Sequence, residues 1–293
     1  MANPRQWVAG ARPRTLPAAV APVLVGTGAA AAVGSAMLGR ATLALVVAVS
    51  LQVGVNYAND YSDGVRGADD DRVGPLRLVG SGMASASAVR AAAWLCFGVA
   101  AVAGLVLVLV TERWWLLGVG ALAVAAAWYY TGGKRPYGYR GLGEVSVFVF
   151  FGLVAVVGTT YVQVGRITAS SVVSGIAIGC FACAILVANN LRDMPSDARS
   201  GKRTLAVFLG SRRTRILYLA LPAMAYALAV ALAVAGRAWA GLAVLSAPLA
   251  VRAARPVASG ARGAKLLPVL RDTALAELAY SLLLALGLVL SGV

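Results

Sequence analysis

Two groups of acidic residues each follow an apolar run long enough to cross a membrane. The first reads N-Y-A-N-D-Y-S-D-G-V-R-G-A-D-D-D from Asn56 to Asp71, and the second N-N-L-R-D-M-P-S-D from Asn189 to Asp197. Residues three and four apart share one face of a helix, so Asn56, Asp60 and Asp63 form one polar stripe. Asn189, Asp193 and Asp197 form another, with Asn59 and Asn190 as neighbouring amides. Like charges at this spacing destabilise a helix unless a cation sits among them. Hard oxygen donors of this kind suit magnesium, which takes one or two carboxylates together with water and phosphate oxygens.

On that reading the metal ligands are Asp60, Asp63, Asp69, Asp193 and Asp197 with Asn56 and Asn189, and four of these, Asp60, Asp63, Asp193 and Asp197, are the catalytic carboxylates. Ionised groups at membrane depth are costly and mark functional sites. The competing reading pairs the acids with Arg66, Arg72, Arg77 and Arg192 in a solvated loop, and for Asp70 and Asp71 that pairing is the expectation.

Basic residues recur at the same level. Lys134, Arg135 and Arg140 lie in Y-Y-T-G-G-K-R-P-Y-G-Y-R, Lys202 and Arg203 in A-R-S-G-K-R-T-L-A-V, and Arg72 and Arg77 follow the first stripe. Cations that converge on metal-binding carboxylates are what a diphosphate leaving group needs as charge builds on its bridging oxygen. Lys134, Arg72 and Lys202 are the candidate diphosphate contacts. Each of them could equally be a topology signal.

The elements that carry these residues follow from composition. The chain has 293 residues, 60% of them hydrophobic and 13% charged, with a mean hydropathy of +0.81. Repeated apolar runs of this length predict an all-α polytopic membrane protein. Helices satisfy their own backbone groups in lipid, and the weak alternation of a barrel is absent. We expect nine spans, at roughly 15–35, 41–60, 88–110, 114–131, 142–164, 169–191, 214–234, 238–254 and 273–291, in one domain over residues 1–293. The eighth is short and contains Pro248, so a re-entrant or tilted segment would also fit.

Of the 26 Lys and Arg residues, only Arg40, Arg113, Arg166 and Arg237 fall on the outer connections of this scheme. The bias places the N-terminus and both acidic stripes on the cytoplasmic side of the cell membrane. The net charge of +15 then reflects inner loops beside anionic lipid and an anionic substrate, with no nucleic-acid partner expected. Cys180 and Cys183 form a C-x-x-C with no second pair and no histidine in the chain, so they read as small packing residues.

With these motifs in hand the chain resembles the UbiA-type membrane aromatic prenyltransferases. The resemblance rests on N-D-Y-x-D paired with D-x-x-x-D-x-x-x-G-K-x-T-L-A-V and covers nearly the whole chain. A-R-P-R-T-L-P at Ala11 to Pro17, G-P-L-R at Gly74 to Arg77 and Y-T-G-G at Tyr130 to Gly133 look most like the actinobacterial form of the branch that prenylates 1,4-dihydroxy-2-naphthoate. Asp69 stands nine residues after Asp60, further than is usual for the third Asp of the motif.

The resemblance implies magnesium over a polyprenyl diphosphate, loss of pyrophosphate, and attack by an electron-rich aromatic carbon. For a naphthoate acceptor the carboxylated carbon attacks and carbon dioxide leaves, which requires no strong base. It also implies Tyr130, Asn59 and Asn190 as substrate contacts, Arg12 or Arg14 as holder of the acceptor carboxylate, and Phe148, Phe150, Phe151 and Gly152 as lining for the prenyl tail.

Within the same superfamily 4-hydroxybenzoate is the alternative acceptor. A CDP-alcohol phosphotransferase fits Asp60, Asp63 and Gly64, but Gly67 and Ala68 stand where Ala and Arg are needed. An ion-coupled transporter would set its acids near the bilayer midplane, whereas both stripes fall at span ends.

Overall fold

A computed structural model describes residues 2–67 and 76–292, and among these residues the regular structure is all helical. Asp69, Asp70, Asp71 and Arg72 lie outside the described residues, as do Gly74 and Pro75 of the G-P-L-R motif.

A short helix α1 (Pro4–Gly10) begins at Asn3, which forms a reciprocal capping box with Gln6. It precedes α2 (Pro17–Ala31), α3 (Leu38–Val65), α4 (Ala86–Thr111) and α5 (Leu116–Tyr129). Next, α6 (Gly143–Val147) continues through a π-helical stretch, Phe148–Val154, into α7 (Ala155–Val164). The chain then forms α8 (Ala169–Arg199) and α9 (Leu205–Val234). A 3-10 stretch, Ala238–Ser246, leads into α10 (Ala247–Ala258), and α11 (Leu267–Leu290) follows.

Six helical segments are long and apolar enough to cross a membrane: Leu38–Val65, Ala86–Thr111, Gly143–Val164, Ala169–Arg199, Leu205–Val234 and Gly263–Leu290. The expected first and fourth spans are shorter, at 15 and 14 residues in α2 and α5. At 1.5 Å per residue, helices of this length reach about 21–23 Å, below the ~30 Å hydrocarbon core. The expected eighth span is a 3-10 stretch joined to α10, whose last turns carry Arg252 and Arg255.

The helix α8 forms the axis of the molecule. Of its most apolar window 72% is buried, against 17% for α3. Small residues let backbones close on this axis, as is usual where helices pack in lipid. A Cβ on Gly152, in the π-helical stretch, would stand 2.6 Å from Cα of Gly179 on α8. Two arginines bind helix-end carbonyls at the opposite end from the acidic stripes. Arg40 donates to Val162 O at 2.8 Å and to Val110 O at 3.0 Å. Arg237 reaches Ala32 O and Ser291 O at 3.2 and 3.1 Å.

Candidate active site

Both stripes lie in the last turns of their helices, and each helix is ended by a left-handed glycine. Gly67 (φ 67°) follows α3 and Gly201 (φ 75°) follows α8, a conformation in which a Cβ is disfavoured. At the second end the Lys202 backbone N–H turns back to Asp197 O at 2.8 Å. This turn brings the Lys202 side chain towards the first stripe.

Asp63 is the meeting point. Its Oδ1 accepts from Lys202 Nζ at 3.2 Å and from the Tyr139 hydroxyl, and its Oδ2 accepts from Arg77 Nη2 at 3.3 Å. All four groups sit largely out of water, and Lys202 Nζ also lies 4.5 Å from the centre of the Tyr139 ring. Burial, and then the charge of Asp63, push the Tyr139 hydroxyl above the usual tyrosine range, so it remains an O–H donor at ordinary pH. Arg66 lies over the same ring at 5.6 Å and donates to the carbonyls of Thr131 and Gly133. Thr131 in turn donates to Asn59 Oδ1 at 2.7 Å. The loop between α5 and α6 is therefore pinned to the end of α3.

Asp60, one turn earlier and almost wholly buried, accepts from two backbone amides, Leu78 N at 2.7 Å and Val79 N at 3.0 Å. Its carboxylate thus anchors the segment around Leu78 and Val79, and it lies within electrostatic reach of Arg12. Arg12 itself holds a left-handed backbone (φ 54°) at the start of a 3-10 turn, Pro13–Thr15. Asn56 turns to this N-terminal segment. Both of its amide hydrogens are used, on Ala11 O at 2.9 Å and Thr15 Oγ1 at 3.0 Å, leaving Oδ1 to Gln52 at 3.5 Å.

On α8 the described contacts begin with a neighbouring pair. Arg192 makes a two-pronged pair with the carboxylate of its neighbour Asp193, with both contacts at 2.6 Å, and reaches Asn189 Oδ1 at 2.8 Å. Asn190 points elsewhere, donating to Glu144 Oε1 at 2.9 Å. Tyr130 lies within electrostatic reach of both Asp63 and Asp197. Lys134 is exposed on the α5–α6 loop.

Arginine pairs are thus present at Asp63 with Arg77 and at Asp193 with Arg192, but both are buried and not in a solvated loop. Sequence reasoning named the stripes, Lys202 and Tyr130 but missed Tyr139 and Glu144. An aromatic pair in P-Y-G-Y amid basic residues, and a lone carboxylate heading an apolar run, were the available signals.

The described residues bring no three Asp, Glu or Cys side chains together as a ready metal cage. The donor set nonetheless suits a hard divalent ion shared with phosphate, which needs only one or two carboxylates from each side. Protein cations now stand where such charge would be: Lys202 and Arg77 on Asp63, and Arg192 on Asp193.

The UbiA prenyltransferase family is matched over residues 19–265. The chain belongs to this family. It is 56% identical to a 1,4-dihydroxy-2-naphthoate octaprenyltransferase of Mycobacterium tuberculosis, over 97% of both chains. An Escherichia coli protein of the same name is 38% identical, with 97% of this chain and 95% of the other covered. Among solved structures, a UbiA homolog from Archaeoglobus fulgidus bound to GPP and Mg2+ superposes with a TM-score of 0.66 at 13% identity, over 95% of this chain and 99% of the other. The apo UbiA homolog from Aeropyrum pernix K1 gives 0.69 at 18% identity, over 93% and 97%. These two likenesses establish the helical fold.

Proposed function

We propose that the protein transfers a polyprenyl group from a polyprenyl diphosphate to 1,4-dihydroxy-2-naphthoate, releasing diphosphate and carbon dioxide. The observation that carries this reading is the full-length 56% identity to the mycobacterial 1,4-dihydroxy-2-naphthoate octaprenyltransferase. The convergence of Lys202, Arg77 and Tyr139 on Asp63 supports it, because these are donors and cations suited to a diphosphate.

Asp60, Asp63, Asp193 and Asp197 would hold magnesium, whose chemistry there is neutralisation of the charge that develops on the departing diphosphate. Lys202, Arg77 and Arg192 can turn from carboxylate to diphosphate oxygens, and Arg72 and Lys134 are offered as further contacts. Asp69 is kept as a third carboxylate ligand of the first stripe, and Asn56 and Asn189 as amide ligands of the two stripes. Arg12 is offered as the holder of the acceptor carboxylate.

In the transfer, ring electrons at the carboxylated carbon form the new bond to the allylic carbon, and the allylic C–O pair leaves with diphosphate. The pair of the C–COO bond returns to the ring as carbon dioxide departs, so no proton need be taken from carbon. We further propose nine membrane crossings in one domain with the N-terminus inside, α2, α5 and the Ala238–Ala258 segment completing the bundle in tilted form. The active site would then face the cytoplasm from the cell membrane.

The test is an assay of purified protein with one labelled polyprenyl diphosphate, offered 1,4-dihydroxy-2-naphthoate and 4-hydroxybenzoate separately, with and without magnesium. Magnesium-dependent product from the naphthoate alone is expected. Product from 4-hydroxybenzoate alone would overturn the assignment of acceptor.

A further inference from the structure

Glu144 opens α6 and is 8% exposed, yet the reaction outlined above gives it no task. Its Oε1 accepts from Asn190 Nδ2 at 2.9 Å, and among the described residues its Oε2 is buried with no hydrogen-bond partner. A buried acceptor left unmet costs about 1–3 kcal/mol, so such an atom calls for a donor.

Three contacts fix where that donor would sit. Cys183 on α8 donates to the Glu144 backbone carbonyl at 3.2 Å and holds the head of α6 against the central helix. Asn190 precedes Asp193 by three residues, which puts it on the same face of α8 and one turn, ~5 Å, further from the helix end. The Tyr130 hydroxyl covers Gly143, where a Cβ would stand 2.9 Å from it. The Glu144 carboxyl therefore stands one turn deeper than the second stripe, on Asn190 and within electrostatic reach of Tyr130.

The sign of the group narrows the ligand. Among the described residues the ion pairs join Arg77 and Lys202 to Asp63, Arg192 to Asp193, and Arg252 and Arg271 to Asp272. None includes Glu144. A carboxyl with no cation repels diphosphate and suits a neutral O–H donor.

We propose that Glu144 determines acceptor specificity, its free oxygen accepting a hydrogen bond from a ring hydroxyl of the dihydroxy-aromatic acceptor, with the Tyr130 hydroxyl as second partner. This places the aromatic ring beneath the diphosphate, on the side from which the allylic carbon is attacked. The proposal rests on the reading of the reaction given above.

The experiment uses the full chain in detergent with magnesium and a polyprenyl diphosphate. Inhibition constants are measured for 1-hydroxy-2-naphthoate and 4-hydroxy-2-naphthoate, each lacking one hydroxyl, alongside KM for donor and acceptor. The unaltered protein should bind one analogue about tenfold to a hundredfold more tightly than the other. Glu144→Ala should raise the acceptor KM by a similar factor, erase the preference and leave the donor KM unchanged. Glu144→Gln, which keeps a carbonyl acceptor, should stay within a few-fold of the parent. If Glu144→Ala does not yield folded protein, Glu144→Met keeps the volume and removes the acceptor atom. A preserved analogue preference in the Ala or Met variant, or an equal rise of both KM values, overturns the role of Glu144. Failure of the unaltered protein to prenylate dihydroxynaphthoate overturns the reaction itself, a separate outcome.

Discussion

Asp63 on α3 is held by residues from three distant parts of the chain, Arg77, Tyr139 and Lys202, whereas Asp193 on α8 is held by its own neighbour Arg192. Asp60 extends the contrast, since its carboxylate is bound by the backbone amides of Leu78 and Val79. The first stripe is thus a tertiary junction that ties two loops and the end of α8 to α3. At the second, the contact seen among the described residues is with a side chain one residue away on the same helix. Two motifs of similar composition carry different shares of the architecture.

The largest expected effect separates chemistry from architecture. Both Asp63→Ala and Asp193→Ala should reduce magnesium-dependent transfer by about 10²–10³-fold, as loss of a group that stabilises transition-state charge does. Asp63→Ala should also cost about 3–5 kcal/mol of stability, because it removes the carboxylate that two buried cations share. Thermal unfolding in detergent reads this directly, and an equal loss in Asp193→Ala would erase the distinction.

Next comes the link between the stripes. Combined Asp63→Ala and Lys202→Met should show a coupling of about 1–3 kcal/mol in a double-mutant cycle, while Asp193→Ala with Lys202→Met should be additive within about 0.5 kcal/mol. Coupling of Lys202 to Asp193 instead would move the junction to α8.

Asp60→Asn keeps the size of the side chain but turns one acceptor oxygen into an NH2 facing a backbone N–H. About 1–2 kcal/mol should be lost, with hydrogen exchange rising at Leu78 and Val79. Unchanged exchange there would show that the carboxylate does not anchor the segment.

The smallest effect belongs to Tyr139→Phe, which removes one hydrogen bond and keeps the ring beneath Lys202, for about 0.5–1.5 kcal/mol. Because the folded hydroxyl titrates above the usual tyrosine value, this contribution should be intact below pH ~10 and fade only as pH rises through the folded value. A stability difference between parent and variant that disappears well below pH 10 would contradict that assignment.

Much of this protein was legible in the chain because its strongest signals are local. A helix in lipid must satisfy its own backbone groups, so the apolar runs determined the helical class without reference to any partner. The three- and four-residue spacing put Asp60 with Asp63, and Asp193 with Asp197, on shared faces before any contact was known. Span lengths were less legible, since α2 and α5 are shorter than their apolar runs, a consequence of where turns and neighbouring helices end them.

Only the tertiary structure decided which partner each carboxylate takes. Lys202 meets Asp63, and not the nearer Asp197, because Gly201 reverses the chain behind it. Tyr139 and Glu144 became visible as site residues only once the α5–α6 loop and the head of α6 had docked against α3 and α8. Spacing along a helix is set by covalent geometry and can be read from sequence. Convergence between helices depends on how loops close and backbones pack, and no single stretch of sequence contains it.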